Sequence, residues 1–147
     1  HHRIEVNQHV TVMVVDDDAI DRLRVQRYFK ESEDRTYTIV EAKTLAEAIE
    51  LAGRMKVDVC LLDYQLGANT AEDFVKAMKV KNVDTPIILL SGQNESIMDK
   101  AFLSNEIIDV ISKEELSKPL LVRSIDYVLE RQEIKNIVQK FEISDRK

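Results

Sequence analysis

Short apolar runs alternate with stretches of helical periodicity along most of the chain. "VTVMVV" (10–15) is a β-branched run with acids at its carboxyl end, the pattern of a strand buried on both faces. "AIDRLRVQRYFKE" follows with Ile20, Leu23 and Phe29 at helical spacing, and Asp17 or Asp18 stands where a helix cap belongs. "YTIVEA" (37–42) reads as the second strand. "TLAEAIELAGRM" reads as a helix with Leu45, Ala48, Ile49 and Ala52 on one face and Thr44 as its cap. "VDVCLLD" (57–63) is the third strand, "YQLGANT" (64–70) a loop, and "AEDFVKAMKV" the third helix. "TPIILLS" (85–91) is the fourth strand, with Pro86 tolerated only at its start. A helix around 94–104 and a fifth strand, "IIDVISK" (107–113), come next. Ser117 and Pro119 open a last helix, the proline lying in the first turn where its missing N–H is not needed.

Five strands alternating with five helices predict an α/β fold, a parallel sheet covered on both faces and doubly wound. At 147 residues one such domain is expected. In sheets of this kind ligand chemistry collects at the carboxyl ends of the strands. The residues there are Asp16 and Asp17 after strand one, Asp63 on strand three, Ser91 on strand four and Lys113 on strand five. Clustered carboxylates repel unless a hard cation lies among them, and Mg²⁺ prefers such oxygen ligands. An aspartate beside that cation has the chemistry of a nucleophile toward phosphorus, and a lysine and a hydroxyl can hold two phosphoryl oxygens. Asp18 reads as a solvated helix cap rather than a ligand.

Composition narrows the setting. A net charge of −6 argues against a nucleic-acid surface and suits binding of cations or docking on basic partners. The one cysteine, Cys60, lies in an apolar run, reads as a buried small hydrophobe and fits a reducing compartment. No apolar stretch is long enough for a membrane helix, so a cytoplasmic protein with no membrane and no direct nucleic-acid partner is expected. His9 reads as a surface residue, and residues 1–8 as a tag remnant or N-terminal extension.

"VMVVDDD", "VDVCLLDYQL", "PIILLSG" and "DVISKEEL", in this order on a βα alternation, resemble the receiver domain of bacterial response regulators over about residues 9–130. The resemblance implies a flavodoxin-like, five-stranded sheet of order 2-1-3-4-5. It implies Asp63 as the phosphoacceptor, Asp17 as a direct Mg²⁺ ligand, Asp16 as a ligand through water, and the backbone carbonyl of Gln65 as a further ligand. Ser91 and Lys113 would contact the phosphoryl group, and the donor would be a phosphohistidine on a sensor histidine kinase. Self-catalysed phosphotransfer and dephosphorylation would then be the only chemistry, in a signalling domain rather than an enzyme. Gln65 and Gln93 stand where side chains of that family tune the phosphate lifetime, although each reads first as a solvated loop glutamine.

Four positions depart from the family's pattern. Gly67 and Ala71 replace the usual loop residues after the acceptor. Glu114 follows Lys113 where proline with a cis bond is common, so a trans bond is expected. Val110, the switch position, stands where an aromatic ring usually swings inward.

Two other functions fit parts of the pattern. A haloacid-dehalogenase-like phosphatase would use Asp16 and Asp18 as D-x-D with Ser91 and Lys113, but it has no use for Asp63. A phosphorylation-independent binding module on the same fold is the third. From Ser117 the helical pattern runs on for about 26 residues, longer than the sheet requires. Leu120, Tyr127, Ile134 and Phe141 recur every seven residues with Val138 beside them, although Ser124 and Arg131 interrupt the seam. Residues 131–147 are therefore expected to extend the last helix, either as a frayed amphipathic tail or as a coiled-coil stalk, with homodimerisation through residues 120–141 in the second case. In the resembling family this segment is similar to the link to an effector such as a cyclic-dinucleotide cyclase or kinase module, so the chain reads as one excised domain.

Overall fold

The computed structural model describes residues 9–30, 35–92 and 106–145. Its elements are β1 (His9–Val15), α1 (Ala19–Lys30), β2 (Thr36–Ala42), α2 (Leu45–Arg54), β3 (Val59–Asp63), β4 (Gln65–Leu66), β5 (Asn69–Thr70), α3 (Ala71–Val80), β6 (Ile87–Ser91), β7 (Ile107–Ser112) and α4 (Lys118–Asp145). Five strands form one parallel sheet in the order β2-β1-β3-β6-β7, the predicted 2-1-3-4-5 arrangement with an extended last helix. The helix expected around 94–104 and Gln93 lie outside the described residues.

The strands carry apolar side chains on both faces because helices cover both. Met13, Val15, Cys60, Leu62 and Leu89 point to the layer of α2 and α3, where they meet Ala48, Phe74 and Met78. The intervening Val12, Val14, Leu61, Ile88 and Leu90 point to α1 and α4, against Val25, Phe29, Leu121 and Ile125. This strict alternation makes continuous apolar runs of β1, β3 and β6. Cys60 is fully buried, and burial pushes its thiol well above the ordinary range.

Helix starts follow their caps. The Thr44 hydroxyl accepts the Glu47 N–H at 3.1 Å, and the Asp18 carboxylate accepts the Ile20 N–H at 2.8 Å. The Ser117 hydroxyl accepts the Leu120 N–H at 3.3 Å as α4 begins.

Two expectations are corrected. Residues 64–70 are not a plain loop: β4 and β5 pair as a small antiparallel hairpin. Gly67 takes φ 59° at the first position of its two-residue turn, as a II′ hairpin requires, and the Gln65 side-chain amide donates to the Gly67 and Asn69 carbonyls. The inward face of α1 is also different. Ile20 and Leu23 are exposed, while Arg22, Val25 and Phe29 are buried. The phase is set by the buried Arg22 guanidinium, which donates to the Asp16 carbonyl at 2.7 Å and to Glu41 Oε1 at 2.9 Å.

Helix α4 packs on the sheet through Leu121, Ile125, Val128 and Leu129, and no residue from Glu130 to Glu142 is buried. Ser124, expected to interrupt an apolar seam, faces the domain instead and donates its hydroxyl to Asp109 Oδ2 at 2.7 Å.

Candidate functional site

Sheet register assembles the rim. Val15 pairs with Leu62, so Asp16 and Asp63 leave adjacent strands side by side. Asp63 pairs with Leu90, one residue before Ser91, and Ser91 pairs with Ser112 on β7. The Lys113 N–H donates to the Ser91 carbonyl at 2.8 Å, which fixes where its side chain starts. The four strand ends that carry the candidate residues therefore fall on one edge.

Asp16, Asp17 and Asp63 each offer a carboxylate oxygen within 4.8 Å of the others. Asp16 and Asp63 are buried, whereas Asp17 is exposed and its Oδ2 accepts the Gly67 N–H at 3.2 Å. Two buried carboxylates beside one reachable from solvent fit a hard divalent cation that retains waters. Asp16 Oδ1 also accepts the Asp18 N–H at 2.9 Å, so the chain turns around this carboxylate before α1 begins.

Lys113 is the counter-ion of the group. Its Nζ lies 3.1 Å from Asp63 Oδ2, 3.3 Å from Asp16 Oδ2 and 3.0 Å from Asp21 Oδ2. Burial opposes its charge, but the bonds to Asp21 and Asp63 and the nearby Asp16 outweigh it and hold the ammonium above the ordinary lysine range. Burial pushes the Asp63 carboxyl up to about 6, the Asp16 charge adds to this, and Lys113 and the Gln65 N–H oppose it. Burial likewise raises Asp16, against the Asp18 N–H and Lys113.

The remaining candidates are placed as follows. Gln65 opens β4 two residues past Asp63, its side chain folded back on the hairpin. Ser91 ends β6 half-buried. Val110 is 42% exposed on β7, and the described backbone has no cis peptide, so Glu114 follows Lys113 in trans. Asp18 caps α1. His9 is exposed, its ring Nε2 2.6 Å from the Thr38 hydroxyl.

Asp21 and Arg22 were not singled out from the sequence. An acid in the first helical turn reads as a partner of the helix dipole. Only the fold reveals that Asp21 turns toward Lys113 and that Arg22 shares the buried face of α1 with Val25 and Phe29.

A family profile described as "Response regulator receiver domain" matches residues 12–126. The chain belongs to that family. Over 124 residues it is 29% identical to the autoinducer 1 sensor kinase/phosphatase LuxN of Vibrio campbellii, covering 84% of this chain and 13% of that protein. Over 85 residues it is 34% identical to the nitrate/nitrite response regulator protein NarP of Escherichia coli K12, covering 58% of this chain and 39% of NarP. The receiver domain thus spans well under half the length of either relative. Among solved structures it is similar to a CheY-like response regulator receiver domain protein from Methanospirillum hungatei JF-1. That match has a TM-score of 0.72 at 21% identity, over 84% of this chain and 96% of that one. No helix among the described residues is long and apolar enough to cross a membrane.

Proposed function

We propose that this receiver domain accepts a phosphoryl group on Asp63 from a phosphohistidine of a sensor histidine kinase and passes its state to a partner or an output domain. One observation carries the reading: Asp63 lies in a carboxylate cluster with Asp16 and Asp17, with Lys113 Nζ 3.1 Å from its Oδ2. An Asp63 oxygen attacks phosphorus, the O–P bond forms as the P–N bond to the histidine breaks, and the leaving imidazole keeps the electron pair. Lys113 and the Ser91 hydroxyl donate to phosphoryl oxygens. Asp17, Asp63 and the Gln65 carbonyl would hold Mg²⁺ directly and Asp16 through water, and the ion would supply charge neutralisation. The same residues return the phosphoryl group to water, and no other turnover is proposed.

The donor class is supported by the similarity to LuxN, a sensor kinase/phosphatase, and to NarP, a response regulator. The setting we propose is cytoplasmic, with no nucleic-acid or membrane contact made by this domain. Val110 offers no ring to swing inward, so the conformational readout runs through other residues. The last helix is proposed to join two copies. Ile134, Ile137, Val138 and Phe141 are all exposed and fall within an arc of about 100° on a helix of 3.6 residues per turn. Tyr127 lies on the same arc, which is the stripe a parallel pair of helices buries.

Incubation with acetyl phosphate and Mg²⁺ followed by intact mass tests the central claim. A stoichiometric phosphoryl adduct on the wild-type chain, absent in Asp63→Asn, is expected. No adduct on the wild type would sink it in favour of a phosphorylation-independent binding module. Steady hydrolysis of phosphate esters without an Asp63 adduct would favour a phosphatase.

A further inference from the structure

We infer that Asp21 is a positioning residue for phosphoryl transfer, the tether that holds the Lys113 ammonium over the acceptor; the inference rests on the reading of Asp63 as phosphoacceptor. A lysine ammonium has three N–H donors, and Lys113 Nζ has three carboxylates within 3.3 Å: Asp16, Asp21 and Asp63. Two of these change role during the reaction. The Asp63 oxygen that attacks phosphorus is no longer a free anion once esterified, and Asp16 turns to the cation. Asp21 belongs to neither and keeps its bond to the ammonium throughout.

The tether is needed because Lys113 begins just past the end of β7, with a side chain that is 23% exposed and flexible along its whole stem. Asp21 is fixed at its own end, in the first turn of a helix started by the Asp18 cap. The contact is part of a larger bracket. Asp21, Arg24 and Tyr28 follow one another along one side of α1, and all three reach the segment after β7. Arg24 Nη2 and the Tyr28 hydroxyl donate to the Leu116 carbonyl at 3.3 and 3.4 Å, and Arg24 Nε donates to the Tyr28 hydroxyl at 3.2 Å. Helix α1 thus holds both ends of the turn that carries Lys113.

A lysine left to roam its rotamers spends less time where the phosphoryl oxygens arrive, so the transfer slows while the cation ligands stay as they are. The test is the rate of phosphoryl uptake from acetyl phosphate at saturating Mg²⁺, read by intact mass, with Mg²⁺ affinity measured by calorimetry. Asp21→Ala is expected to slow uptake about tenfold, the scale of a modest misplacement, and to leave Mg²⁺ affinity near that of the wild type. Asp21→Asn, whose amide oxygen still accepts from Lys113, is expected to restore most of the rate. In a Lys113→Ala chain the Asp21→Ala change is expected to have no further effect, because a tether has nothing left to hold. Uptake by Asp21→Ala as fast as the wild type, or faster through relief of negative charge, overturns the inference. So does an equal slowing in the presence and absence of Lys113. If the wild-type chain takes up no phosphoryl group, the reading of Asp63 itself fails; if it does and Asp21→Ala matches it, only the tether fails.

Discussion

Replacing Asp63 by Asn is expected to make the metal-free domain more stable at pH 7.5. Asp63 is 6% exposed, and burial with the Asp16 charge raises its carboxyl from 3.8 to about 6. A raised folded-state value means that the protonated form is the one the fold prefers. Its contribution to stability is complete below pH 3.8, declines as pH rises, and is lost once pH has passed about 6. At about 1.4 kcal/mol per pH unit between the two values, the ionised side chain costs about 3 kcal/mol at pH 7.5 as an upper figure, and about 1 kcal/mol at pH 4.5. Asparagine has the same shape and no charge, so the gain from Asp63→Asn is expected to grow by about 2 kcal/mol between those pH values. Urea unfolding with a chelator present, at pH 4.5 and 7.5, measures this directly. Added Mg²⁺ is expected to close part of the gap by stabilising the wild type more than the variant, since it binds the folded carboxylates. A variant no more stable than the wild type at pH 7.5, or a difference that does not grow with pH, would refute the reasoning.

Arg22→Met removes two charged hydrogen bonds at a buried position, one of them to the Asp16 carbonyl at 2.7 Å, and keeps the apolar length of the side chain. A loss of about 2 kcal/mol in urea unfolding is expected, with weaker Mg²⁺ binding in calorimetry because the Asp16 loop loses its brace; an unchanged unfolding midpoint would contradict it. For the stalk, the full chain is expected to sediment as a dimer at micromolar concentration and a chain ending at Arg131 as a monomer. Equal association of the two would remove residues 132–142 from the interface.

What the sequence disclosed depended on whether a signal was local or created by packing. The runs at 10–15, 57–63 and 85–91 announce their strands because both faces of the sheet are covered and their central positions are mostly apolar. Once the strands are placed in parallel, their ends must share an edge, and Asp16, Asp63, Ser91 and Lys113 follow without knowledge of any side-chain contact. The hairpin at 65–70 was hidden because its cause is a single backbone angle at Gly67, and "YQLGANT" has no alternation to betray two-residue strands. The face of α1 was misread because counting apolar residues gave Ile20 and Leu23 the inward side. Arg22 outweighs them, since the ends of β1 and β2 offer it a carbonyl and a carboxylate. Likewise Ser124 looked like a fault in a heptad seam until Asp109 supplied the partner that lets it be buried.

The charges at the rim explain why the site is both costly and usable. Asp16, Asp21 and Asp63 surround Lys113 and Asp17 lies beside Asp16 and Asp63, so the metal-free rim carries an excess of negative charge that a single ammonium does not cancel. Burial at Asp16 and Asp63 keeps water from screening that excess, and the upward displacement of both carboxyls records it. On the proposed function a divalent cation would relieve the repulsion, and in doing so would make the same rim tolerable to an incoming phosphoryl dianion. Lys113 would then be the group whose surroundings change most, because two of its three acidic neighbours would acquire another partner. The segment it belongs to runs directly into α4 through Leu116, which is bracketed by α1. Under that proposal a change in the pull on Lys113 would have a short covalent path to α4, one that needs no ring at Val110.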